Sequence, residues 1–190
     1  MKKVIFILSA VLIQTVSFAQ QTWKSDKAHS QLGFSVTHLG ISEISGGFKS
    51  FDVTITTNKP DFSDAKFDLT TDVASINTGV DMRDTHLKSA DFFDATTFPK
   101  LTFKSTGIVK VGDNKYKLTG DLTLHGITKS VTLDLWYRGT TTNPMSKAPD
   151  AGFKVTGTIK RSDFGIGTKF PSAMLGDDIA IIANGEFGLQ

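Results

Sequence analysis

Apolar residues recur at every second position through most of this chain, a spacing that suits strands with one buried face. Leu32, Phe34 and Val36 alternate with Gly33, Ser35 and Thr37, and Phe51, Val53 and Ile55 with Asp52, Thr54 and Thr56. Phe67, Leu69, Thr71 and Val73 share a parity, and Leu101 and Phe103 follow Pro99, whose missing N–H is harmless at a strand start. Tyr116, Leu118, Leu122 and Leu124 continue the pattern, as do Val131, Leu133, Leu135 and Tyr137. Phe153, Val155 and Ile159 form another face, and Ile179, Ile181 and Ala183 open a last strand running towards Phe187. The spacing thus predicts eight strands. Turn signals stand at Gly46-Gly47, Asn58-Lys59-Pro60-Asp61, Gly112-Asp113-Asn114, His125-Gly126 and Asn143-Pro144. Connections this short demand antiparallel pairing, because a parallel crossover needs about a dozen residues. Alternation alone serves a two-sheet sandwich and a closed barrel equally, so both remain open at this point.

One stretch reads as a helix. Asp81 to Ala90 carries Met82, His86 and Leu87 at near-helical spacing, with Thr78 or Asp81 as a cap. Phe92, Phe93 and Phe98 follow it on a connection, and a further short turn is expected at Ser172 to Leu175.

The first residues bear on compartment. Met1-Lys2-Lys3 precedes an apolar run from Val4 to Val16, and Ser17-Phe18-Ala19 offers the small residues of a signal-peptidase site. The expectation is an export leader over residues 1–19 and one mature domain over 20–190. The run is shorter than the roughly 20 apolar residues of a membrane span, so stable membrane insertion is not expected. Loss of Lys2 and Lys3 brings the 21 basic residues level with the 19 acidic ones. A balanced charge gives no reason to expect nucleic acid as a partner. The chain has no cysteine, which excludes a disulfide framework, thiol chemistry and a lipidated N-terminal cysteine. Of 15 phenylalanines only Phe6 and Phe18 lie in the leader, so the domain carries unusually wide apolar surface.

The residues that carry chemistry are sparse. His29, His38, His86 and His125 show neither the i, i+4 nor the H-x-H spacing of metal ligands, so no metal and no cofactor are expected. His29 and His125 read instead as residues of strand ends and turns. The chain lacks a G-x-S-x-G elbow, an H-E-x-x-H motif and a Gly-rich phosphate loop. Gly165-Ile166-Gly167 is too slight a glycine motif to count, and His29 and Ser30 are strand neighbours that face opposite ways. An enzyme is therefore not expected.

Ordered motifs nevertheless run through the chain. They begin with Trp23-Lys24-Ser25-Asp26-Lys27-Ala28-His29-Ser30 and Phe34-Ser35-Val36-Thr37-His38-Leu39. Ile76-Asn77-Thr78-Gly79, Arg83-Asp84-Thr85-His86-Leu87-Lys88-Ser89, Asp91-Phe92-Phe93-Asp94 and Phe98-Pro99-Lys100-Leu101-Thr102-Phe103 follow. Gly120-Asp121-Leu122-Thr123-Leu124-His125-Gly126-Ile127-Thr128 and Arg161-Ser162-Asp163-Phe164-Gly165 complete the set. In this order they resemble the YceI-like proteins, also described as polyisoprenoid-binding or lipid-binding periplasmic proteins. The resemblance implies an all-β fold, an extended eight-stranded antiparallel lipocalin-like barrel with one short helix in a connection. It also implies a periplasmic carrier of a long-chain amphiphilic lipid, such as a polyprenyl compound or a fatty-acid derivative.

On that reading the apolar parity of each strand lines a pore. The candidates are Phe34, Val36, Phe51, Val53, Phe67 and Leu69 from the first strands. Leu101, Phe103, Leu122, Leu133, Phe153, Val155 and Ile181 come from the later ones. Phe92, Phe93, Phe98, Phe164 and Phe170 would form its mouth, where Arg83, His86 and Lys88 would meet a polar or phosphate headgroup. Two competing readings are an exported interaction module with a filled core, and an enzyme acting on a lipid. An isologous homodimer is the default assembly for a soluble chain. The leader reading has a direct test: N-terminal sequencing of the exported protein should read Gln20-Gln21-Thr22, whereas a start at Met1 or Lys2 would overturn it.

Overall fold

The structure is a computed structural model that describes residues 19–190, so the expected leader lies outside the described residues except for Ala19. Its strands are β1 (Gln21–Ser25), β2 (Gln31–His38), β3 (Ser42–Phe48), β4 (Phe51–Thr57), β5 (Lys66–Asp72) and β6 (Ile76–Asn77). After helix α1 (Asp81–Lys88) come β7 (Lys100–Gly112), β8 (Lys115–Leu124), β9 (Ile127–Thr142), β10 (Pro149–Lys160) and β11 (Leu175–Leu189). Neighbours pair antiparallel throughout, and the sheet closes where Trp23 and Ser25 of β1 meet Leu189 and Phe187 of β11. The result is a closed eight-stranded antiparallel barrel with one short helix.

The first three wall strands are each broken once. β1 and β2 form one course interrupted at residues 26–30, β3 and β4 a second interrupted at Lys49-Ser50, and β5 and β6 a third interrupted at Val73–Ser75. Pairing supports this reading. β11 bonds β2 through Leu175–Asn184 and then β1 through Phe187–Leu189, while β3 pairs with β2 and β4 with β1. Each break reverses the parity of the inward residues. Trp23 gives way to Leu32, Phe51 follows Phe48, and Ile76 follows Val73.

Each predicted strand corresponds to one wall course, but the extensions 21–25, 42–48 and 76–77 were not expected. Gly46-Gly47 lies inside β3 rather than in a turn. A Cβ on Gly46 would lie 2.7 Å from the Phe34 ring, and one on Gly47 2.6 Å from the Leu32 carbonyl oxygen. Close approach of β2 therefore explains these glycines. The actual turn lies at Leu39-Gly40, both in the left-handed region. The helix ends at Lys88, short of Ala90, and Val80 precedes it with no side-chain cap. The turn at Ser172–Met174 is present, with the Met174 N–H donating to the Pro171 carbonyl at 2.8 Å.

The lower end, where the first and last strands begin and finish, is solid. The β4–β5 loop folds under the barrel and inserts Phe62, 1 % exposed, between Trp23, Tyr137 and Phe153 at ring separations of 5.4, 4.8 and 5.0 Å. Tyr116 donates its hydroxyl to the Asp61 carbonyl, and Thr57 donates to Asp64 Oδ1 at 2.6 Å. Burial of the Asp64 carboxyl opposes its ionisation, yet donors from Thr57, Asn58 and Lys59 hold it below the usual carboxylate range. Trp23 Nε1–H is buried without a hydrogen-bond partner among the described residues, so ring packing alone positions that indole. Phe62→Ala should destabilise the protein by about 3–5 kcal/mol, read from denaturant unfolding. A loss under about 1 kcal/mol would show that the loop is not a structural plug.

Candidate functional site

Above the aromatic plug the barrel is not filled. A cavity of ≈ 440 Å³ occupies its upper half, within the range typical of small-molecule sites. Its walls are the inward parity of the strands. Phe34 and Val36 come from β2, Phe51 and Val53 from β4, and Phe67 and Leu69 from β5. Leu101 and Phe103 of β7, Leu122 of β8 and Leu133 of β9 line the far side, with Phe153 and Val155 of β10 and Ile181 of β11. Phe153 also touches Phe62, Phe67, Tyr137 and Phe187, so it stands on the boundary between cavity and plug.

Two connections build most of the upper rim, the β6–β7 segment that carries α1 and the β10–β11 segment. α1 and the segment after it fill the gap left where β6 stays with β3 and β7 continues with β8. Phe92 and Phe170 stack across the rim at 5.0 Å with an 18° interplanar angle, and the His86 ring stands edge-on to Phe92 at 5.0 Å. Phe93 meets Phe48 edge-on at 6.1 Å, deeper in the wall. A Lys169–Asp91 ion pair crosses between the same two connections, and this pairing, with His86 beside it, holds the Asp91 carboxyl below its ordinary range.

Most of the expected pore residues are gathered here, and three of the expected site residues are not. Phe98 lies outside the cavity, edge-on to His125 at 4.8 Å and against Gly126, covering the β8–β9 turn. Phe164 is 1 % exposed but belongs to the packed core below the rim, and its carbonyl accepts a bond from His125 Nδ1 at 3.0 Å. Lys88 does not line the cavity either. At about 100° per residue, Arg83, His86 and Leu87 share one helix face while Lys88 lies about 140° round from Arg83. Met82 faces away and is 85 % exposed.

Several lining residues escaped the sequence reading. Ile44 and Phe48 of β3 lie beyond a parity-reversing break, Leu32 shares the parity of Phe34 and Val36 without having been placed in the pore, and Ile159 and Ile179 sit just beneath the rim. Thr78, His38, Arg161 and Met174 add the rim's remaining side chains. Where β1 yields to β2, Ser30, Gln31 and Asn184 make a small polar edge.

Arg161 is the most buried cation of the site at 5 % exposure. Its Nε donates to the Gly176 carbonyl at 3.0 Å, and Nη1 donates to those of Ile166 and Gly167 at 3.0 and 2.6 Å. Nη2 donates to the Phe170 and Leu175 carbonyls at 2.7 and 3.0 Å. One side chain thus gathers the whole β10–β11 connection and fixes Phe170 over the mouth. Arg83 is held differently, with Nε on Thr78 Oγ1 at 2.7 Å and Nη2 on the Thr78 carbonyl at 2.9 Å. The Thr78 hydroxyl in turn donates a hydrogen bond to the buried Asp84 carboxylate at 2.5 Å. Hydrogen bonds from Thr78 keep Asp84 ionised below the usual range against the opposing effect of its burial.

Outside the cavity, Asp26, His29 and Glu186 lie close enough together to suit a metal ion. His29 Nδ1 is already bonded to Asp26 at 2.8 Å, which lowers the acid, raises the imidazole and braces the break between β1 and β2. Sequence spacing did not show this group because Glu186 arrives from β11. His125 occupies the β8–β9 turn, as expected.

A closed antiparallel barrel with a solid lower end and an apolar cavity under one rim is a lipocalin-like build, able to hold one small ligand. Comparison with known proteins gives the family. The YceI-like domain matches residues 23–187, and the chain belongs to that family. A UPF0312 protein of Staphylococcus aureus is 40 % identical over 169 residues, covering 87 % of this chain and 96 % of that one. BcnA of Burkholderia cenocepacia has a similar crystal structure, with a TM-score of 0.77 and 27 % identity over 85 % of this chain and 98 % of its own. The Campylobacter jejuni YCEI protein gives a TM-score of 0.73 and 35 % identity over 80 % of this chain and 88 % of its own. A polyisoprenoid-binding domain from Saccharophagus degradans shares the fold at a TM-score of 0.64 and 15 % identity, over 89 % of this chain and 98 % of that one.

Arg161→Met keeps an apolar stem but strands five backbone carbonyls. A loss of about 3 kcal/mol in stability is expected, measured by thermal or denaturant unfolding. An unchanged melting temperature would show that the connection holds itself.

Proposed function

We propose that this protein binds one long-chain amphiphilic lipid, a polyisoprenoid or fatty-acid derivative, with the tail in the cavity and the head at the rim. On this reading it acts as a carrier or buffer outside the cytoplasm, exported by residues 1–19. The observation that carries it is the cavity itself. An upper barrel lined by Phe, Leu, Val and Ile gains nothing from water, whereas each buried methylene contributes about 0.8 kcal/mol before ordering costs. From Phe153 to Ile159 the β10 wall rises roughly 20 Å at about 3.3 Å per residue, room for an extended chain. The polyisoprenoid binding described for the Saccharophagus domain supports the same ligand class.

A filled interaction module is disfavoured by that unfilled volume.

The test is solvent extraction and mass spectrometry of protein purified from its source, together with the variant Val155→Trp, which places an indole in the cavity. Native protein should release a single-chain lipid, and the variant should remain folded while binding a fluorescent fatty acid at least tenfold more weakly. If native protein yields no lipid and the probe does not bind it, the carrier reading falls.

A further inference from the structure

The ionisable side chains that reach this cavity are all basic. Arg83, Arg161, His38 and His86 line it, and no aspartate or glutamate among the described residues does. Over the whole chain acids and bases nearly balance, so this segregation is a property of the cavity rather than of composition. Neither guanidinium has a carboxylate within ion-pair distance among the described residues.

The two arginines differ in what they have left to offer. All five N–H groups of Arg161 are engaged by carbonyls, so it contributes charge but no free donor. Carbonyl dipoles solvate that charge without cancelling it. Arg83 spends Nε and Nη2 on Thr78, and its Nη1 has no partner among the described residues. The neighbouring Asp84 carboxylate attracts Arg83 through space but makes no direct hydrogen bond to it, because its oxygens accept from Thr78 and Asn77, so the Nη1 donors stay free for a ligand. Thr78 thus holds the guanidinium in one orientation and leaves donors at the mouth.

On the reading that a lipid tail fills the barrel, we propose that the mouth selects an anionic head, a carboxylate or phosphate monoester, and that Arg83 is the residue that reads it. A guanidinium presents paired N–H groups to two oxygens of such a head, and the apolar surroundings strengthen the contact. Arg161 adds favourable potential from the opposite connection. A neutral head is held by its tail alone, and an ammonium head meets two cations.

The experiment compares palmitic acid, hexadecyl phosphate, hexadecanol and hexadecylamine, which share a tail and differ at the head, by calorimetry or displacement of a fluorescent probe. Delipidated full-length mature protein is used. The acid and phosphate should bind about tenfold to a hundredfold more tightly than the alcohol, with the amine weakest. In Arg83→Gln the ratio of acid to alcohol affinity should collapse towards one, while Arg83→Lys should keep part of it. Circular dichroism and residual hexadecanol binding report whether each variant is folded. Equal binding of acid and alcohol by the native protein, or an unchanged ratio in a folded Arg83→Gln, overturns the proposal and leaves the lipid reading standing. Failure of all four probes to bind overturns both. Displacement of palmitic acid by inorganic phosphate would make this a site for a free anion and overturn its assignment to a lipid head.

Discussion

Closure of the wall between β1 and β11 governs the rest of the molecule. A closed sheet has no free edge, and its radius is set by strand number and stagger rather than by the side chains inside. The interior is therefore a fixed volume to be filled or left. In the lower half Phe62 enters from a loop and packs against Trp23, Tyr137 and Phe153. In the upper half no loop enters, and the inward residues of eight courses face one another across the ≈ 440 Å³ cavity.

The breaks in the first three courses separate these two regimes. They let β2, β3 and β6 leave the line of the lower wall, and α1 with its following segment covers the resulting gap. The rim can then be built from connections rather than strands. Connections can carry Arg83, His86 and Phe170 to one place from distant parts of the chain, as the wall's alternation cannot.

Much of the wall was legible in the sequence because alternation with one apolar face is a direct consequence of strand geometry. It stayed legible only while the parity held. Leu32 and Phe34 were readable, but Trp23 across the first break and Phe48 across the second face inward on the opposite parity. A reading that extrapolates one parity loses them. Barrel against sandwich was settled by ordered motifs and then by the pairing of β1 with β11, neither of which periodicity contains. At the rim, Arg83 and His86 were recognisable as residues next to a Phe cluster, but the rotation of Lys88 away from them required the helix phase. Arg161 stands within an ordered motif, yet its five carbonyl partners are scattered over a connection whose path no local pattern encodes.

The aromatic plug also leaves the cavity a single open end. Because Phe62 seals the lower end, an elongated guest seated through the upper rim has its blunt end stopped at Phe153 and its other end left beside α1. It cannot pass through the barrel as cargo passes through a pipe. On the proposed lipid-binding role, loading and unloading would use the same face in reverse order, and a receiver would first take hold of the end that went in last.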